Sequence, residues 1–173
     1  GGLVESEGGT ITVQGCAGMG YAVATGNPKN VDENDLCGLN VAVETGTVEE
    51  EAINKTAKQC KADGKKDITI QSSKQQTDAT TAVVTGKADV FFADSPVVGY
   101  AIAQTDGQLE QLGKDFDEVP NAIAIKKGDS QTTEAVQKAM QKLMDDGTYT
   151  KILQHWGVES GALDKAEINP AVE

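Results

Sequence analysis

Apolar residues arrive along this chain in short bursts separated by Gly, Asn, Asp and Pro, and the period of each burst predicts an element. Residues 10–13 and 20–25 read as two short strands, the second closed by Gly26-Asn27-Pro28, where Pro fixes φ and Gly accepts a positive φ. Residues 31–36 predict a single helical turn, and the β-branched run 39–43 predicts a buried strand. A helix is predicted over 48–62. Glu49, Glu50 and Glu51 crowd its first turn, Lys55, Lys58 and Lys61 follow, and this order complements the helix dipole until Gly64 ends it. Residues 67–70 are the next strand. Thr77-Asp78 predicts the cap of a helix running through Ala79, Ala82, Val83 and Val84 to Gly86. The run 88–93 is almost wholly apolar, as in a parallel sheet covered on both faces. Asp94-Ser95-Pro96 follows it, with Pro96 suited to the first turn of a helix reaching Ala103.

Residues 109–112 and 122–125 predict two further strands, the second ended by Lys126-Lys127-Gly128-Asp129. Val136, Met140, Leu143 and Met144 fall at helical spacing within 133–144, Asp145-Asp146-Gly147 breaks that helix, and 149–156 forms another. The tail around Glu167 to Ala171 predicts irregular chain. Strands alternating with helices imply an α/β fold, a three-layer αβα arrangement around a mostly parallel sheet. Such sheets place their ligand sites at the carboxyl ends of the strands.

Composition removes several classes of function. Of the 173 residues, 15 are basic and 27 acidic, for a net charge of −12, and all 15 cations are lysine. A nucleic-acid binder needs a basic face, so no nucleic acid is expected as a partner, nor is an electrostatic hold on anionic lipid. Without arginine there is no bidentate clamp for a carboxylate. No apolar run approaches the roughly 20 residues of a membrane span. The opening nine residues have no basic region followed by an apolar stretch, so no signal peptide is expected. Val13-Gln14-Gly15-Cys16 is only faintly like a lipoprotein cleavage site, because Thr10, Thr12 and Gln14 interrupt the apolar stretch.

Catalytic readings fail one at a time. The single histidine, His155, adjoins Trp156 in a helix remote from any nucleophile, which makes it a surface or packing residue. No dinucleotide or phosphate loop motif occurs. Three cysteines, Cys16, Cys37 and Cys60, and one histidine cannot assemble a thiol-imidazole zinc site, so no metal and no cofactor is expected. On composition the thiols fit one disulfide plus a spare, or three reduced groups, equally well.

Two positions stand apart because each sets a polar group at the carboxyl end of a strand. In Val41-Ala42-Val43-Glu44-Thr45-Gly46-Thr47 a strand runs into a helix N-terminus whose free N–H groups favour an anion, with the Thr47 hydroxyl as a further donor. Asp94 ends the other strand. Simple helix capping accounts for either alone. Together they match the α-carboxylate and α-ammonium of an amino acid.

The segments YAVATGNP (21–28), DLCGLNVAVETGT (35–47), GKADVFFAD (86–94), AIAIKKGD (122–129) and DGTYTKIL (146–153), in this order, resemble the polar amino-acid family of ABC-transporter solute-binding proteins. The resemblance covers position 20 to about 170 and implies one lobe, the second, of a type 2 periplasmic-binding-protein fold, with hinge strands at 20–25 and 122–126. It divides the chain into a Gly-rich leader and remnant strand (1–19), a ligand-binding lobe (20–126), and C-terminal helices and tail (127–173) that in relatives pack on a first lobe. Most of that first lobe has no counterpart here, including its ligand-gripping arginine. The resemblance implies that the Gly46, Thr47 and Val48 backbone and the Thr47 hydroxyl bind the ligand carboxylate, that Asp94 pairs with the ammonium, and that Glu44 tunes side-chain preference. It also implies a Cys37–Cys60 disulfide with Cys16 unpaired.

The function expected from all of this is binding, not catalysis: an extracytoplasmic amino-acid-binding lobe serving an ABC permease in the membrane, secreted or carried as a cell-surface lipoprotein. The alternative is an isolated lobe without ligand affinity that acts in assembly, as a homodimer through the C-terminal helices. A dehydratase family has a similar fold, but its acid and base would need the absent lobe.

Overall fold

The computed structural model describes residues 10–169; the leader 1–9 and the tail end at Pro170 and Ala171 lie outside the described residues. In chain order the elements are β1 (Thr10–Ala24), β2 (Asn40–Glu44), α1 (Val48–Ala62), β3 (Thr69–Ser73), α2 (Gln76–Val84), β4 (Val90–Asp94), α3 (Ser95–Gln104), β5 (Leu109–Ile125), α4 (Ser130–Asp145) and α5 (Thr148–Trp156), with a 3-10 turn at Glu159–Gly161. The sheet order is β3-β2-β4-β1-β5. β2 runs parallel to β3 and to β4, whereas β4 and β1 are antiparallel, with Met19 opposite Asp94 and Ala22 opposite Phe91.

Alternation along β2 and β4 explains why the sheet is covered on both faces. Val41, Val43, Val90 and Phe92 share one apolar cluster with Ile53 and Cys60 of α1. Ala42, Phe91 and Ala93 point the other way, into a cluster with Ala79 and Val83 of α2 and Val98 and Ala101 of α3. A side-chain period of two therefore yields helix, sheet, helix. The helix at Val48–Ala62 falls where its charge order predicts. Cys37 and Cys60 are joined by a disulfide, Cα to Cα 5.7 Å, which ties the last turn of α1 to the lead-in of β2.

Four expectations are corrected. The two short strands at 10–13 and 20–25 are one strand, β1, and those at 109–112 and 122–125 are one strand, β5. Positive φ at Gly113 and Asp117 lets β5 pass its breaks without ending. The predicted helical turn at 31–36 is a tight turn bridged between Asp32 and Asp35. There Asp32 Oδ1 accepts from the Asn34 N–H at 2.9 Å and Asn27 Oδ1 from the Val31 N–H at 2.8 Å, and these local bonds outcompete a helix. The helix α2 starts at Gln76, after Gln75 with no side-chain cap, so Thr77 and Asp78 lie inside its first turn.

The chain divides into two compact units, Gly18–Asp117 and the remainder, Gly1–Ala17 with Glu118–Glu173. In the first, Asp89 Oδ2 accepts from the Asn40 N–H at 2.8 Å and the Asn40 side-chain amide at 3.0 Å, with Lys29 3.4 Å from its other oxygen, so the starts of β2 and β4 are locked side by side. In the second, α4 and α5 pack together and the tail returns over them. Leu163 N–H donates to the Tyr149 hydroxyl at 3.1 Å, and Ala166 N–H donates to Gln141 Oε1 at 3.0 Å.

Candidate functional site

Because β2 and β4 are parallel neighbours, their carboxyl ends, and hence Glu44 and Asp94, lie along the same edge of the sheet. Each strand feeds a helix at once, α1 through Thr45-Gly46-Thr47 and α3 directly. The first junction is self-contained. Thr47 is the N-cap of α1, accepting the Glu50 N–H at 3.2 Å while its own hydroxyl donates to the Glu44 carbonyl at 2.9 Å. Glu50 turns back so that one carboxylate oxygen accepts the Gly46 N–H at 2.8 Å and the other accepts the Ser72 hydroxyl. This is a capping box shifted by one residue. These bonds, Gly46 first, hold the Glu50 carboxyl below the usual carboxylate range.

Two of the donors that the sequence assigns to a ligand carboxylate are thus already engaged: the Gly46 N–H on Glu50 and the Thr47 hydroxyl proton on Glu44. Among the described residues the N–H groups of Thr47 and Val48 have no partner, and they face out of the helix terminus as orphan donors. Glu44 is half-buried at the strand end and contributes its carbonyl to the Thr47 hydroxyl bond.

The second junction is open. Asp94 occupies the N-cap position of α3 yet makes no capping hydrogen bond, and its residue is exposed. The neighbouring Ser95 hydroxyl accepts the Gly18 N–H at 3.1 Å, so it does not cap the helix either. Capping therefore does not account for Asp94, and its carboxylate is presented at the edge.

Sequence reasoning missed one participant, Glu49. It is 3% exposed, one of its carboxyl oxygens is buried without a hydrogen-bond partner, and Thr47 and Asp94 both act on the group. Burial foremost, then the negative charge of Asp94, raises it above the ordinary carboxylate range, against an opposing bond from its own N–H. A signal was present: Glu49 shares the inward stripe of α1 with Ile53 and Cys60, four and eleven positions on.

Among the described residues no group of three or more His, Cys, Asp and Glu side chains could hold a metal ion, and no helix is long and apolar enough to cross a membrane. His155 is exposed and edge-on to Trp156 at 5.1 Å. A concavity of about 710 Å³ opens beside β1 and β5, lined by Tyr21, Glu33, Gly113 and Phe116 among others, and contains none of the site residues. The Tyr21 phenol in it is pushed up to about 12 by burial and by Glu33 and Asp117.

Comparison with known proteins adds the family. Residues 34–159 match the bacterial extracellular solute-binding proteins, family 3. The arginine-binding protein ArgT of Corynebacterium glutamicum is 39% identical over 154 residues, covering 88% of this chain and 50% of that protein. The glutamine-binding protein GlnH of a Bacillus subtilis ABC transporter is 25% identical, over 84% of this chain and 50% of that protein. The chain thus spans about half the length of these curated relatives. Among solved structures, an ancestral cationic amino-acid solute-binding protein superposes with a TM-score of 0.75 at 24% identity, covering 90% of this chain and 65% of that one, which bears on the fold alone. An ancestral arginine-binding protein bound to arginine gives 0.58 at 28%, over 81% and 60%. The chain belongs to family 3 of the bacterial extracellular solute-binding proteins.

Proposed function

We propose that this chain is an amino-acid-binding lobe of an extracytoplasmic solute-binding protein serving an ABC importer. The reading takes residues 20–126 as the ligand-binding lobe and the helices from 127 onward as its C-terminal support. The observation that carries it is the parallel pairing of β2 and β4, which sets the orphan N–H groups of Thr47 and Val48 and the uncapped carboxylate of Asp94 along one edge of the sheet. That juxtaposition suits a molecule carrying an anionic and a cationic group on one carbon atom, which is what an α-amino acid is. In this arrangement the N–H groups of Thr47 and Val48 receive the α-carboxylate at the positive end of α1. Asp94 receives the α-ammonium by a charge-assisted bond. Glu44 stands at the rim, where it selects among side chains. The names of the relatives, arginine-binding and glutamine-binding, make these two the first ligands to test.

Calorimetric titration of the chain with the twenty standard amino acids is the direct test. Saturable heat with one or a few of them supports the reading; no heat with any of them, from a protein shown to be folded by circular dichroism, overturns it.

A second reading has its own observation. Ile152 and Trp156 on α5 are each about half exposed, at 50% and 48%. Apolar side chains left open on one helix favour self-association. In this reading the chain is a homodimer through the C-terminal helices, and light scattering across a concentration series separates it from a monomer.

A further inference from the structure

The concavity beside β1 and β5 holds about 710 Å³, a volume ordinary for small-molecule sites, and its lining lies wholly within the unit Gly18–Asp117. Part of that lining is aromatic. Tyr21 and Phe116 border the cavity with ring centroids 5.3 Å apart and planes tilted by 36°, and the buried Phe92 packs against them at 4.6 and 6.0 Å. Tyr21 and Phe116 are themselves only half-buried, so ring surface is left open to the cavity.

A carboxylate shares the space. Glu33 reaches it from the turn between β1 and β2, and that turn is fixed by its own bonds. Asp35 N–H donates to the Asp32 carbonyl at 3.1 Å, Asp32 Oδ1 accepts from the Asn34 N–H at 2.9 Å and its side-chain amide at 3.1 Å, and Asn27 Oδ1 accepts from the Val31 N–H at 2.8 Å. The Glu33 carboxylate lies against Gly113 of β5, in the space that a side chain at that position would fill. Glycine at 113 therefore makes room for this carboxylate as well as bending the strand. Yet among the described residues Glu33 forms no ion pair, and neither does Lys114, the one cation on the lining. Asp115, also on the lining, is already engaged, accepting from the Gln111 side-chain amide at 2.7 Å.

Open ring surface beside an unpaired carboxylate is what holds an organic cation: the ring faces attract the charge through their quadrupole, and the carboxylate pairs with it. The sign of the local field agrees. After burial, Glu33 and Asp117 are what push the Tyr21 phenol up to about 12, and a potential that opposes a phenolate favours a cation at the same place. A guanidinium suits both partners, being planar for the rings and forked for the carboxylate. The chain has none of its own to offer, since all 15 of its cations are lysine. We propose that this cavity binds a small organic cation of the guanidinium type, stacked on Tyr21 and Phe116 and paired with Glu33. The site is separate from the sheet edge at Thr47 and Asp94, none of whose residues lines it, and it stands whether or not that edge takes an amino acid.

Titration of butylguanidinium into the isotope-labelled full chain, followed by two-dimensional NMR, tests this. The probe has no α-carboxylate for the sheet edge, and neutral butylurea copies its shape without its charge. Butylguanidinium should give saturable shifts centred on Tyr21, Glu33 and Phe116, and butylurea should bind at least about fivefold more weakly, the scale of a solvent-exposed ion pair. Glu33→Gln should weaken butylguanidinium by a similar factor, about fivefold. Lys114→Gln removes a like charge and should tighten it. Both positions are exposed, so neither variant disturbs the core. Phe116→Leu should weaken binding about threefold, and if that variant does not fold, the two charge variants decide alone. Equal binding of butylurea, an affinity unchanged in Glu33→Gln, shifts gathered at Asp94 and not at Tyr21, or no saturable shift at all would each overturn the proposal.

Discussion

Two strand-to-helix junctions share one edge of the sheet and differ in how completely they satisfy themselves. Where β2 enters α1, the Thr47 hydroxyl, the Glu50 carboxylate, the Gly46 N–H and the Ser72 hydroxyl all find partners within the junction, and the Cys37–Cys60 bond holds the far end of the same helix. Where β4 enters α3, Asp94 and Ser95 leave the helix without a side-chain cap. The first junction is a frame that satisfies its side chains internally, and the second leaves a carboxylate without a capping role. The difference teaches that the two candidate residues, Thr47 and Asp94, which look alike in sequence as caps, are not alike in the structure: Thr47 caps its helix, whereas Asp94 caps nothing and is the residue proposed to receive a ligand. Glu49, buried on α1, is acted on from both sides, by Thr47 and by Asp94.

The largest expected effect tests the frame. The bond between Cys37 and Cys60 closes a loop across 23 positions, and a link of that length contributes about 3 kcal/mol through the unfolded chain. The double variant Cys37→Ser, Cys60→Ser should lose that amount in urea denaturation and melt on the order of 10 °C lower. A midpoint within a degree of the parent, with one free thiol counted in the denatured unreduced parent, would show that the frame does not need its staple.

The next tests the open side. Asp94→Ala removes a carboxylate from a ligand cation without removing a cap, so binding should weaken by roughly 2 kcal/mol or more, about thirtyfold, while the melting point moves little. Calorimetry and a thermal melt on one sample read both quantities. A large fall in stability with unchanged affinity would reverse the roles assigned to the two junctions.

How much of this was legible beforehand follows from which forces are local. The span of α1 could be read from Glu49 to Lys61 because its charge order and its terminating Gly64 are local signals. The candidate residues Thr47 and Asp94 could be singled out because each follows the end of an apolar strand. The full lengths of β1 and β5 were not, since Gly113 and Pro120 look like stops in a one-dimensional pattern, and only pairing in the sheet carries the strand past them. Nor was the turn at Asp32, where an Asx bond decides the backbone. Glu49 was hidden among three consecutive glutamates that solvation explains equally in a one-dimensional pattern. Only the four-residue spacing to Ile53 distinguishes the one that turns inward.

Thr47→Val sharpens the comparison on the closed side. It keeps the volume and removes the oxygen that accepts the Glu50 N–H, so stability should fall by about 1 kcal/mol, and Thr47→Ser should restore it. Because the hydroxyl proton goes to the Glu44 carbonyl, ligand affinity should change less than it does in Asp94→Ala. If Thr47→Val instead abolishes binding at unchanged stability, the hydroxyl belongs to the site and not to the frame.

The smallest effect is also the most discriminating, because adjacent residues should show it with opposite sign. The Glu50 carboxyl is held below its unfolded value, about 4.3, chiefly by the Gly46 N–H and then by Ser72. Its contribution to stability is present above that value and is lost as pH falls through the folded one. The Glu49 carboxyl is raised, chiefly by burial, so its ionisation works against the fold. Stability is fullest below the unfolded value and declines as pH rises through the raised folded one. At pH 7, Glu50→Gln should therefore be less stable than the parent and Glu49→Gln more stable. The Glu50→Gln difference should vanish once both states of the parent carry a protonated Glu50, and so should the part of the Glu49→Gln gain that comes from ionisation. Urea denaturation from pH 3 to 8 reads both, and curves that run parallel to the parent would break the assignment of one glutamate to the frame and the other to the site.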